Sequence, residues 1–279
     1  MKKRSKIMAA AIALLGFSTA ASITGTVAWF TASNVVTASG MYVMADKEEG
    51  IVMANENFDS WATAVTAAHD GKINSEQAKF IPTSTVNSST WAHASASVQN
   101  DKTAVESSYA MISPAVVGST GVYQASINGN NKNIYLLNTF YVKSASTEIV
   151  GGDLYAKVTA EATHEDNLNK TLRVLVKHES NTQIFAPIDG ATLSYDVCTA
   201  VSGETVTKTA AVAKYNEVVK LSETVTIPAN NPSAPNITTF PVNVYAYFEG
   251  EDAACYSDNI TTTLADLQIT VKLGTTATL

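Results

Sequence analysis

Cysteine is nearly absent from this chain: 279 residues hold two, Cys198 and Cys255. A small disulfide-stapled scaffold is thereby excluded, and stability has to come from a packed core. The two thiols leave two readings open, a disulfide in an oxidising compartment or two small buried apolar side chains. Charge is scarce as well, at 15% against 46% hydrophobic, a balance that fits a globular protein and argues against general disorder. Basic residues are outnumbered 18 to 25, giving −7, with no basic patch interleaved with aromatics, so nucleic acid is not an expected partner. Proline occurs only seven times, while valine and threonine, which suit a pleated surface, are frequent.

Catalytic signatures are also lacking. There is no HExxH zinc pattern, GxSxG elbow, Walker loop or dinucleotide fingerprint. His69, His93, His164 and His178 stand singly, and "HED" at 164–166 and "HES" at 178–180 are expected to be solvated strand ends. The densest acidic cluster is "FEGEDAACYSDN", with Glu249, Glu251, Asp252 and Asp258 around Cys255. Carboxylates at that density suit calcium, but the spacing does not match an EF-hand loop, and a solvated turn is the expectation. No catalytic residue, metal site or cofactor is expected, and the chain is not expected to be an enzyme.

What is present begins at the N-terminus. Lys2, Lys3, Arg4 and Lys6 precede the apolar run "IMAAAIALLGF", Ile7 to Phe17, and small residues follow in "STAASITGTVA". This is the build of a signal peptide. Thr26 and Ala28 meet the small-x-small requirement for cleavage, as do Ser18 and Ala20. The alternative is an uncleaved anchor, since no charge falls between Ile7 and Phe30, with Trp29 and Phe30 at the interface. No second long apolar run follows, and membrane contact is expected only through the leader. Loss of the four basic residues with the leader takes −7 to −11.

From about Asn133 onward, apolar residues alternate with period two, as in half-buried strands. "NKNIYLLNTFYVKS" puts Ile134, Leu136, Phe140 and Val142 on one face, interrupted by Asn138, with Tyr135, Leu137 and Tyr141 opposite. Both faces are apolar, which predicts a central strand covered on both sides. Leu154, Ala156 and Val158 share a face, as do Leu172, Val174 and Val176, with Arg173 and Lys177 opposite. So do Val242, Val244, Ala246 and Phe248, and Leu267, Ile269, Val271 and Leu273. Turn residues punctuate these runs: "NGNN" at 128–131, "GGD" at 151–153, "IDG" at 188–190, "SGE" at 202–204 and "PANNPSAPN" at 228–236. The pattern predicts an all-β chain, an antiparallel sandwich or barrel. The stretch 47–129 is less regular and reads as an insertion on the β core. Within it "NFDSWATAVTAAHDG" predicts a short helix, with Asp59 as N-cap, Gly71 as stop, and Trp61 and Val65 on one face.

The leader leads straight into an uncharged strand-like segment: "GTVA", then "WFTASN", then "VVTASGMYVMA". Over Gly25 to Ala45 this resembles the TasA/camelysin family of secreted biofilm-matrix proteins of Gram-positive bacteria. The resemblance implies cleavage between Ala28 and Trp29 by a dedicated signal peptidase, giving a 1–28 signal peptide and a single 29–279 β-sandwich domain of jelly-roll type. It also implies a secreted or cell-surface protein that polymerises with itself, alongside other matrix proteins. Its donor strand would run from 29 to 45, led by Trp29, Phe30, Thr31, Ala32, Ser33, Asn34, Val35 and Val36, and would insert into the sheet of the next copy. The residues themselves equally allow an ordinary first strand paired within its own subunit, since both arrangements use the same backbone bonds. A second class of function is a cell-surface adhesin or glycan-binding module, with Trp61, Trp91, Tyr109 and Tyr123 stacking on sugars. A third, which the camelysin name brings with it, is a metalloprotease, for which no zinc pattern is present.

Overall fold

The computed structural model describes residues 34–45, 50–73, 76–94, 109–127, 129–161, 171–187, 197–201, 204–208, 212–249 and 264–279. In chain order the strands are β1 (Asn34–Ala45), β2 (Ile51–Asn55), β3 (Ala64–Thr66), β4 (Lys72–Ile73), β5 (Glu76–Gln77), β6 (Lys79–Phe80) and β7 (Trp91–Ala94). Next come β8 (Tyr109–Ile112), β9 (Ala115–Val116), β10 (Val122–Ile127), β11 (Asn130–Ser144), β12 (Val150–Glu161), β13 (Leu172–His178) and β14 (Asn181–Ala186). The last are β15 (Val197–Val201), β16 (Glu204–Lys208), β17 (Val212–Lys214), β18 (Val218–Ile227), β19 (Pro241–Phe248) and β20 (Leu264–Gly274).

Fourteen of these strands build an all-β sandwich of two mostly antiparallel sheets, and β4–β5, β7–β8 and β15–β16 form two-stranded sheets beside it. The larger sheet runs β17-β14-β13-β19-β11, with β10 and β2 both on the far side of β11. The smaller runs β3-β1-β20-β12-β18. The two meet through β1, whose Asn34 and Val35 pair with β6 before the strand passes to β20.

The core follows the period-two pattern. Leu172, Val174 and Val176, and Val242, Val244, Ala246 and Phe248, face Leu154, Ala156 and Val158, and Ile269, Val271 and Leu273, across the sandwich. Side chains alternate across each strand, so every second residue enters the layer between the sheets. Each buried aliphatic or aromatic side chain there contributes about 1.5–3 kcal/mol. The outer face of the larger sheet is covered too: Trp91, Tyr135, Leu175, Ile184, Tyr245 and Tyr247 form a second cluster. That is why β11 is apolar on both faces.

Several local expectations are corrected. Ile134 does not join Leu136, Phe140 and Val142 but packs in the second cluster. The cause is a bulge: Tyr123 pairs with Tyr135 and Gln124 with Asn133, which leaves Ile134 as the extra residue. "GGD" at 151–153 is not a turn. It lies inside β12, where the register with β18 shifts between Gly152 and Leu154. The expected helix at 57–71 is absent. Ala64–Thr66 is strand β3, with Val65 buried between exposed neighbours, and it pairs with Tyr42–Met44. An unpaired edge of β1 offers this segment backbone partners over a long range, and that overrides its helical spacing. Within the 47–129 stretch, β2, β3, β6, β9 and β10 join the main sheets, while β4 with β5 and β7 with β8 form two-stranded sheets of their own.

Candidate functional site: the slot of the first strand

Of the candidate donor residues, Asn34, Val35 and Val36 open β1; Trp29 to Ser33, and the Ala28–Trp29 cleavage point, lie outside the described residues. In this single chain β1 pairs within its own subunit. Its main partner is β20, in parallel, over eight residue pairs from Val36↔Leu264 to Ala45↔Leu273. No turn joins the two strands, so β1 lies against β20 through tertiary contact alone. Met41, Val43 and Ala45 point into the core, and Tyr42 and Met44 point out at 37% and 36% exposure.

The opposite edge of β1 is covered by the segment around β3. Beyond the strand pairs, Ala45 N–H donates to Thr63 O at 2.8 Å and Ala67 N–H to Met41 O at 2.7 Å. This wall is fastened to the larger sheet. Ala62 and Met53 exchange both backbone hydrogen bonds, at 2.8 and 2.9 Å. Asn55 Nδ2 donates to Thr66 O at 3.2 Å. Asn138, on β11, accepts from His69 N–H at 2.9 Å through Oδ1 and donates to His69 O at 3.2 Å through Nδ2. The wall on the other side, β20, is held by seven pairs with β12. The strand therefore occupies a slot whose two sides are each anchored elsewhere.

Asn138, read from sequence as an interruption of an apolar face, is 1% exposed. Burying an amide is costly unless its bonds are made, and here His69 makes them. Its position among core residues was the signal; the partner was not readable from sequence.

Other candidates fall elsewhere. His178 is not a solvated strand end: it is 3% exposed, Nδ1 lies 3.0 Å from Pro241 O, and the ring stacks on Phe240 at 4.0 Å. Glu249 is not in a solvated turn either. It is fully buried and accepts from Ser84 Oγ, beside the equally buried Arg173 and Tyr247. The rest of that acidic cluster, including Cys255, lies outside the described residues, as does His164; Cys198 is on β15. Among the described residues, no group of three or more His, Cys, Asp and Glu has a metal-holding arrangement. Trp91 is 1% exposed, with Tyr135 stacked at 4.3 Å and Tyr247 edge-on at 5.0 Å, so its ring faces are taken by packing. Trp61 and Tyr123 are half-buried, Tyr109 is on β8 and His93 on β7.

Comparison of the chain with protein-family models, with curated proteins and with solved structures finds no match.

Proposed function

We propose that this protein is a secreted structural subunit of extracellular or cell-surface fibres, in which the first strand of one copy takes the slot of β1 in the next. The observation that supports this most is the slot itself. Its occupant is a strand with a parallel, sequence-distant main partner, set between walls that are tied to other strands. A second copy's strand would meet the same backbone donors and acceptors and the same pockets for Met41, Val43 and Ala45. Cleavage after Ala28 by a signal peptidase belongs to this reading, because it frees Trp29 to Ser33 at the head of the strand. A jelly-roll winding, a Gram-positive-type surface location and other matrix proteins as partners belong to it too. The work is structural and calls for no enzyme activity or cofactor.

The test compares a chain starting at Trp29 with one starting at Asp46, by negative-stain electron microscopy. Filaments are expected from the first. The second should form none alone and should bind an added peptide spanning 29–45. A Trp29 chain that stays monomeric across protein concentration, salt and time sinks the fibre reading and leaves the monomeric or anchored adhesin.

A further inference from the structure

The slot's β3 wall carries a cluster whose placement says more than that the wall is fixed. The segment from Ala62 to Gly71 touches β1 along one side and the larger sheet along the other. Near its end stands His69. The His69 backbone is gripped by Asn138 through both amide atoms, so that a side chain stands in for a neighbouring strand. The same Asn138 Nδ2 lies 3.7 Å from Met41 Sδ on β1. The imidazole packs over Gly121, where an added Cβ would come within 2.4 Å of His69 Cδ2 and 2.6 Å of Leu137 O. Gly121 has φ +67°, which favours glycine as well. At its far end His69 Nε2 meets the Glu56 carboxylate, in the turn that follows β2. Three elements thus converge on one residue: β11 through Asn138, the turn before β10 through Gly121, and the turn after β2 through Glu56.

Resting on the reading of β1 as an exchangeable strand, we infer that Glu56, His69, Gly121 and Asn138 form a latch that sets how readily β1 leaves its slot. When His69 is seated, the segment 63–67 is pressed against β1 and satisfies its outer edge at Ala45 and Met41 as well as along β3. With His69 unseated, that segment keeps its ties at Ala62 and Thr66 but lifts more often, and the outer-edge backbone bonds of Met41–Ala45 open to water with it. Opening of β1 then costs its bonds to β20 and β6 and its core contacts. Because the same wall would hold an incoming strand, a loosened latch speeds exchange and also weakens the assembled product.

The test is native-state hydrogen exchange, read by mass spectrometry on the full chain, for Glu56→Ala, His69→Ala and Asn138→Ala. Amides of Met41–Ala45 and of 63–69 should exchange about tenfold faster in each variant, as expected for lost anchoring bonds of this kind. Amides of Leu154–Val158 and Val174–Val176 should keep their protection, which separates a latch from a general loss of stability. Unchanged protection at Met41–Ala45 overturns the inference, and so does an equal loss in all strands. Glu56→Ala alters only a partly exposed side chain, so it reports even if Asn138→Ala fails to fold. Faster exchange at β1 in a chain that never forms filaments leaves the latch standing and removes the fibre reading.

Discussion

Trp91 and Trp61 lie over the same outer face of the larger sheet, and they are used differently. Trp91 is sealed in: its indole N–H donates to Ser88 O at 3.0 Å, and Tyr135, Tyr245 and Tyr247 surround the ring. Trp61 is a half-buried cover over Lys143, whose Nζ sits 4.0 Å from the ring centroid and donates to Pro235 O at 3.0 Å. Among the described residues the Trp61 indole N–H has no acceptor. The segments around both look alike in sequence, polar and rich in small residues. What separates them is backbone pairing. Trp91 itself stands on β7, paired with Ile112 of β8, whereas Trp61 follows a turn in which Phe58 adopts φ +54° and lies just before the single bridge from Ala62 to Met53. A tryptophan becomes core when its backbone is held over an apolar floor, and the composition of its segment does not reveal that.

The largest test of this contrast is truncation. Trp91→Ala should cost about 3–5 kcal/mol in denaturant unfolding, as for a fully buried aromatic, and Trp61→Ala about 1–2 kcal/mol. Equal costs would erase the distinction. Next is Gly121→Ala, on the latch side, which should lose about 1–3 kcal/mol because the new methyl meets both the His69 ring and the Leu137 carbonyl. Smaller still are the conservative swaps. Trp91→Phe forfeits a hydrogen bond of about 1 kcal/mol, while Trp61→Phe removes an unpaired N–H and should be near neutral or stabilising. A clear loss in Trp61→Phe would mean that its indole N–H does have a partner.

Alkaline pH should pull the two regions in opposite directions. Burial raises the phenols of Tyr135, Tyr245 and Tyr247 around Trp91 above the ordinary 10.0. Their stabilising contribution is whole below that value and is lost as pH climbs through the folded values, so wild type should lose ground against Tyr245→Phe. Burial lowers the Lys143 ammonium below the ordinary 10.5. Between its folded and unfolded values the unfolded chain binds the extra proton, so stability rises with pH there and wild type should gain on Lys143→Met. Melting curves across that range read both slopes, and slopes of the same sign would contradict the assignment.

The smallest effect is expected at the edge strand β18. The Thr224 backbone N–H, at 3.2 Å, and then Lys220 lower the Asp153 carboxyl. Its contribution is present above the unfolded value and fades as pH falls through the folded one. Asp153→Asn should therefore flatten the acid limb of the stability profile slightly.

Much of the sandwich was legible because burial imposes period two. Leu154, Ala156 and Val158 on β12, and Val242, Val244, Ala246 and Phe248 on β19, are core as their alternation predicts. The failures share one cause. Ile134 leaves its expected face because a bulge depends on how β10 pairs, and 64–66 is a strand because β1 lies beside it. Glu249 looked solvated from its acidic neighbours, yet Ser84, far away in sequence, covers it. The latch was the least legible. Asn138 marked a polar gap in an apolar face, but nothing local names His69, Gly121 or Glu56 as the residues that gather there.

The sequence by itself determined the all-β class, the alternating core faces and the apolar double-sided character of β11, because each follows from side-chain period and local backbone preference. Only the tertiary structure decided that β1 lies parallel to β20, that β3 forms its other wall, and that Asn138 fastens that wall. Those are pairings between residues far apart in the chain. Their hydrogen bonds are the same for any sequence, so the partner is chosen by which edges the packed core leaves open.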